Sequence, residues 1–329
     1  MITSARSRLS LFDIQVNGFG GVDFQNLKLS ADDFRRACQS LRSHDTHRIL
    51  LTLVTDSIEA LEEKFAHVEA LRGLDPLVKE TVVGYHLEGP YLSPEEGYRG
   101  AHPAEFMKRP NLKEFRRLQK AAAGNIRLVT LAPEWPGSAR FIAELTRGGV
   151  VVSLGHTNAS NEQIDSAIRS GARLCTHLGN GCRALVNRHD NIIQRLLARD
   201  ELIASFIPDG IHLPPSTLKN FLRAKPPGKI ILSGDPVAAA GAPPGEYVQH
   251  WGRKKIRVVS EPGGRVHLRG NKDYFAGSSG TLEKGVANVA RWASVPFATS
   301  WAWASRRPAE LFAVRLPQIR MERPFIGQR

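Results

Sequence analysis

The segment 150-VVVSLGHTNASNEQIDSAIRSGARLCTHLGN-180 decides how this chain folds. It opens and closes with β-rich apolar runs, VVVSLGH (150–156) and RLCTHLGN (173–180). Between them ASNEQIDSAIRSG (159–171) has helical patterning, with Asn161 as a capping residue and Gly171 as the stop. Runs that stay apolar, rather than alternating in polarity, belong to parallel strands covered on both faces. The same unit recurs outward in both directions. Further strands are predicted at LFDIQVNG (11–18), RILLTLVT (48–55), TVVGYHLEG (81–89), IRLVTLAP (126–133), LIASFIPDG (202–210) and KIILSGD (229–235). Helices are predicted at 30–43, 57–73 and 215–225, the first two capped by Ser30 and Ser57, the second stopped by Gly73. Roughly eight strand–helix units in 329 residues predict an α/β fold, a (β/α)₈ TIM barrel. A doubly wound open sheet is the alternative.

The Gly- and Pro-rich stretch 236–280 breaks the alternation, and its KIRVVS and GRVHLRG runs read as a small β-hairpin inserted after the eighth strand. TLEKGVANVARWAS (281–294) resumes the helical pattern. The domain reading is one barrel over 1–314, with 236–280 as an insertion and 315–329 as a C-terminal tail.

Composition narrows the class. The chain is 42% hydrophobic and 23% charged, enough for a sizeable core. No apolar run reaches the length of a bilayer span, so no membrane partner is expected. The first residues lack the apolar stretch of a signal peptide. Cys38, Cys175 and Cys182 are odd in number and form no CxxC pair, which points to a reducing cytoplasm. A net charge of +13 raises nucleic-acid binding as a class. The basic residues are spread along the chain, however, and the densest cluster, RKKIR (253–257), is short. A basic surface that favours anionic small substrates is the better reading, with no nucleic-acid partner.

Four strand ends carry chemistry. Glu88 ends the third strand, His156 the fifth and Asp235 the eighth, and His177 lies in the sixth. A bare carboxylate in an apolar interior costs several kcal/mol, so Glu88 calls for a partner. In a barrel these ends converge on one face. Two imidazoles and a carboxylate form a three-ligand metal set with a position left for water, and Asp235 is then the candidate base. Singly, a histidine at a strand end is more often a hydrogen-bonded structural residue, and Asp235 is a turn cap. The coincidence of all four is what points to a metal-dependent hydrolase.

HLEGPYLSPEEGYRGAHP (86–103), SLGHTNAS (153–160), THLGNG (176–181), DGIHLPP (209–215) and GDPVAAAG (234–241) stand in the order found in the N-acetylglucosamine-6-phosphate deacetylases of the amidohydrolase superfamily. FDIQVNGFGGVDF (12–24) resembles that family's first barrel strand, and the resemblance runs from about residue 11 to 313. It implies hydrolysis of the acetamide of N-acetylglucosamine 6-phosphate, with Asp235 as base and then acid. It also implies one divalent metal per subunit on Glu88, His156 and His177. Zinc is the first choice for such donors, and iron, cobalt or manganese also suit them. Where many relatives carry a metal-binding HxH pair, this chain has Gln15-Val16-Asn17. By the same resemblance His102 stabilises the oxyanion. Ala101, His102, Asn180, Gly181, Asp209, His212, Phe275, Ala276 and Gly277 bind substrate, and Arg188 reaches the sugar phosphate from a neighbouring subunit, which implies a homodimer. Outside their motifs His102 and Arg188 would read as ordinary surface residues.

The chain departs from the family in three places. The accessory β-sandwich looks absent or vestigial, the eighth-strand motif reads SGDPV, and Arg188 precedes His-Asp. These departures bear on the substrate more than on the metal. Another N-acyl sugar or a cyclic amide is the alternative substrate, and a catalytically inactive sugar-binding barrel is the non-enzymatic alternative.

Overall fold

The computed structural model describes residues 7–251 and 254–320. Eight parallel strands form one sheet in chain order: β1 (Leu11–Val16), β2 (Thr46–Val54), β3 (Val82–Glu88), β4 (Ile126–Leu131), β5 (Val151–Leu154), β6 (Leu174–Cys175), β7 (Ile203–Phe206) and β8 (Ile230–Leu232). Helices follow each strand, from Ala31–Ser43 after β1 to Leu282–Ala293 after the insertion that trails β8. This is the (β/α)₈ barrel that the sequence predicts, not an open sheet. The strands are almost wholly buried, as continuous apolar runs require.

Local signals differ from the sequence reading in detail. Ser30 and Ser57 cap their helices by accepting from Asp33 N and Ala60 N. The helix Asn161–Arg169 is capped by Ser160, not Asn161. Ser160 and Gln163 exchange side-chain-to-backbone bonds in a capping box. Gly73 lies inside the helix Ile58–Leu74, and Asp75 caps the end. β6 has only two residues in register because the chain leaves the ladder at Thr176 and turns at His177.

The insertion is larger than a hairpin. Strands β9 (Gly245–Trp251), β10 (Lys254–Ser260), β11 (Arg265–Leu268) and β12 (Asn271–Ser278) form a four-stranded antiparallel sheet. The expected hairpin is its middle pair, with Val258 opposite Leu268. β9 escaped notice because it buries no apolar residue; three of its positions are exposed, three half-buried, and Gln249 is its one buried residue. A small separate core of Val237, Ala239, Val258, Val266 and Ala276 holds this sheet to the chain leaving β8. Residues 318–320, read from sequence as tail, form a strand that pairs antiparallel with Ser7–Leu9. Residues 321–329 lie outside the described residues.

Barrel interiors are usually filled by branched apolar side chains. Here the layer beneath the C-terminal face is polar. His86 Nε2 lies 2.7 Å from Thr130 Oγ1, which is 2.8 Å from Thr176 Oγ1, which in turn is 2.5 Å from Ser153 Oγ. All four are buried. The row links β3, β4, β5 and the end of β6 directly below Glu88, His156 and His177.

Candidate metal centre and substrate pocket

Glu88 is the last residue of β3, His156 follows β5 by two residues, His177 follows β6 by two, and Asp235 follows β8 by three. All four therefore stand at the C-terminal rim. His156, His177 and Asp235 have φ of 50°, 31° and 46°, a left-handed backbone that costs a non-glycine residue roughly 1–3 kcal/mol. Such strain persists only where neighbours over-determine it. Around His156, Ser93 N donates to its carbonyl at 2.9 Å, and Glu134 accepts from Asn158 N at 3.0 Å and from the Thr157 hydroxyl. Ser205 Oγ accepts from His177 N at 2.8 Å.

Glu88 Oε1 lies 3.0 Å from His177 Nε2 and 3.5 Å from His156 Nε2. Two ligands of one tetrahedral ion with bonds of about 2.0–2.1 Å stand roughly 3.3 Å apart, so this spacing suits a shared cation. One ligand atom from each residue lies within 4.8 Å of the others, and all three side chains are buried. The tautomer of His156 also fits. Its Nδ1–H donates to Tyr98 O at 2.8 Å, which leaves the Nε2 lone pair facing the centre. Gln15 Nε2 donates to Glu88 Oε1 at 3.0 Å and so holds the carboxylate in place. Burial alone would raise the pKa of Glu88. The neighbouring imidazoles of His156 and His177 outweigh burial and hold the carboxyl well below the ordinary range. It is thus ionised, as a metal ligand must be. Donor set, spacing and ionisation together fit one divalent cation.

Asp235 faces the same space. Asn17 Nδ2 donates to its Oδ1 at 2.6 Å. Burial, and then the negative charge of Glu88, push its pKa up to about 8. A divalent cation held by Glu88, His156 and His177 would reverse the sign of that second effect. His102 Nδ1 lies 2.9 Å from Thr55 Oγ1, and its Nε2 is 3.9 Å from Glu88 Oε2. Burial, and then the neighbouring His156, lower its pKa to about 3, so the ring is neutral. Thr55 Oγ1 donates to the Glu88 carbonyl at 3.4 Å, so the hydroxyl links the His102 ring to the end of β3 while Nε2 faces the pocket.

A cavity of about 430 Å³ opens over this centre. Ala101, His102, Asn180, Gly181, His212, Phe275, Ala276 and Gly277 line it together with Glu88, His156, His177 and Asp235. Gly181 must be glycine, since a Cβ there would sit 2.7 Å from His156 Nδ1. Asp209 is not on the lining. It grips His212 instead, accepting from the backbone N of Ile211 and His212 and lying 2.6 Å from His212 Nδ1. Arg188 is exposed on the loop after Gly181 and does not line its own chain's cavity. No lysine or arginine does so among the described residues. The sequence reading passed over Asp13, Thr55, His86 and the wall contributed by Gln249 and Trp251 of β9. The FDIQVN alternation held the clue to Asp13, but Trp251 had none, because the strand that carries it was not recognised.

A (β/α)₈ barrel with a glutamate and two histidines converging on one rim, and a half-buried aspartate beside them, defines the class of barrel amidohydrolases. No family model matches the chain. It is 30% identical over 318 residues to the N-acetylgalactosamine-6-phosphate deacetylase of Shewanella sp. (strain ANA-3), covering 97% of this chain and 76% of that one. It is 31% identical over 245 residues to the N-acetylglucosamine-6-phosphate deacetylase of Bacillus subtilis (strain 168), covering 72% of this chain and 59% of that one. A mutant N-acetyl-D-glucosamine-6-phosphate deacetylase of Mycobacterium smegmatis, solved in complex with N-acetyl-D-glucosamine-6-phosphate, superposes with a TM-score of 0.82 at 28% identity, covering 94% of this chain and 78% of that one. The chain belongs to the N-acetylglucosamine-6-phosphate deacetylase family.

Proposed function

We propose that the protein hydrolyses the acetamide of an N-acetylhexosamine 6-phosphate, with N-acetylglucosamine 6-phosphate as the first choice, to give the amino-sugar phosphate and acetate. The observation that carries this reading is the convergence of Glu88, His156 and His177 beside Asp235 in one cavity. The galactosamine epimer is the second reading, favoured by the activity named for the Shewanella relative.

In this reading Glu88, His156 and His177 hold one divalent cation, zinc before iron, cobalt or manganese. The cation supplies Lewis acidity toward water and the acetamide carbonyl. Asp235 takes the proton of the attacking water as the new C–O bond forms, and gives it to the nitrogen as the C–N bond breaks. His102 stabilises the oxygen that gains charge. His212 is oriented by Asp209 toward the sugar, and Asn180, Gly181, Ala101, Phe275, Ala276 and Gly277 shape its pocket. Arg188 acts in a homodimer, binding the phosphate in the partner's cavity; a lining without its own cation supports this. The barrel over 1–314, with 236–280 inserted, is the catalytic unit. A cytoplasmic setting belongs to the same proposal and rests on the three unbridged cysteines.

The test combines elemental analysis with a substrate panel. About one metal per chain in the wild type, lost in Glu88→Ala, is expected together with turnover of phosphorylated N-acetylhexosamines. A metal-free active wild type, or hydrolysis of cyclic amides alone, overturns the reading.

A further inference from the structure

We infer that Asp13 is a positioning residue for Asp235, clamping the chain just before it across the seam of the barrel. Hydrogen-bond ladders join β1 through β8 in order, but among the described residues none joins β8 back to β1. Asp235 hangs from that seam, three residues past the end of β8 and in a left-handed backbone. Something other than a ladder must fix it.

β1 and the residue after it supply the fixing points at positions 13, 15 and 17. Asp13 Oδ1 accepts from Ser233 Oγ at 2.6 Å, and Asp13 Oδ2 accepts from Gly234 N at 2.9 Å. The carboxylate is 2% exposed and also accepts from Gln15 N. Its grip is close: a Cβ on Gly234 would lie 2.8 Å from Oδ2. Two residues on, Gln15 holds Glu88, and two further, Asn17 Nδ2 holds Asp235 itself at 2.6 Å. The backbone of Asn17 also donates to Pro236 O at 2.9 Å. Asp235 is thereby pinned by Asp13 through Gly234 before it and by Asn17 through Pro236 after it, while Ser278 N donates to its carbonyl at 3.2 Å. Removing the first pin releases the strain held at φ 46° and lets the carboxylate swing.

Asn is the informative replacement at position 13. It keeps the shape but has one acceptor oxygen for three donors, so its NH₂ group faces either Gly234 N–H or Gln15 N–H. This inference rests on the proposed deacetylation for its kinetic readout. Asp13→Asn is expected to lower kcat about 10–100-fold, with KM within twofold and the metal content of the wild type retained. A crystal structure of the variant is expected to show Asp235 displaced from Asn17 Nδ2. A variant with wild-type kcat, or one with Asp235 unmoved, overturns the inference. Should Asp13→Asn fail to fold, Ser233→Ala removes one donor and leaves the carboxylate. A smaller fall in kcat at constant KM is then expected, and an unchanged kcat overturns the inference. A wild type inactive on every N-acetylhexosamine phosphate overturns the proposed function instead, and the variant's crystal structure still decides the role of Asp13.

Discussion

His86 makes acid a specific threat to this fold. The ring is fully buried between Thr130 Oγ1 at 2.7 Å and Thr52 Oγ1 at 3.4 Å. Burial lowers its pKa from 6.5 to about 4. Between those values the unfolded chain binds the proton and the folded chain does not. Stability therefore rises with pH through the window and falls as pH drops through it. The full shift corresponds to about 3 kcal/mol, and the part lost between pH 7 and pH 5 is about 2 kcal/mol. His86→Gln retains polar contacts but removes the titration. Urea unfolding of both proteins at pH 7 and pH 5, under identical metal conditions, isolates the effect, because every other group titrates alike in the two. The wild type should lose about 2 kcal/mol more than His86→Gln over that interval. Equal losses would mean that the folded state admits a charged His86, and the reasoning from burial would fail.

Arg188→Ala should raise KM for a phosphorylated substrate by about 10-fold or more, as loss of a charge-assisted bond implies, and leave KM for the free N-acetyl sugar unchanged. Steady-state kinetics on both substrates checks this, and equal effects on the two would remove Arg188 from the phosphate site. The Lys64–Asp56 pair, 2.8 Å apart with both side chains 2% exposed, lies just past β2 and next to Thr55. Lys64→Ala leaves Asp56 buried without its cation and should cost about 3–5 kcal/mol in a urea titration. A loss below about 1 kcal/mol would mean that water reaches Asp56 in the variant.

The readable parts of this protein share one property: their physical signal is local. Continuous apolar strands, serine caps and polar residues at strand ends are visible in windows of a few residues, and they carried the barrel. Glu88, His156, His177 and Asp235 were legible because each sits at a strand terminus, and barrel geometry sends such termini to one rim. The shift of the cap from Asn161 to Ser160 is a one-residue matter of which side chain reaches the third amide. β9 was illegible for a stronger reason. Its largely polar, partly exposed sequence becomes a strand through its seven-residue register with β10.

The sequence by itself determined the architecture and the chemical identity of the rim, since both follow from residue type and spacing along the chain. Tertiary structure alone decided which polar groups serve which. Asp13 meets Gly234 across 221 positions, Asn17 meets Asp235 across 218 and Gln15 meets Glu88 across 73. No local pattern encodes those meetings. The first two arise because closing eight strands brings the first against the last, where no ladder among the described residues joins them and side chains hold the seam; the third crosses the barrel from β1 to β3. Asp209, a pocket residue by resemblance, supports His212 instead through a local turn, its partners lying two and three residues along the chain. A carboxylate's task is set by the donors that folding brings to it, and for Asp13, Glu88 and Asp235 these come from distant parts of the chain.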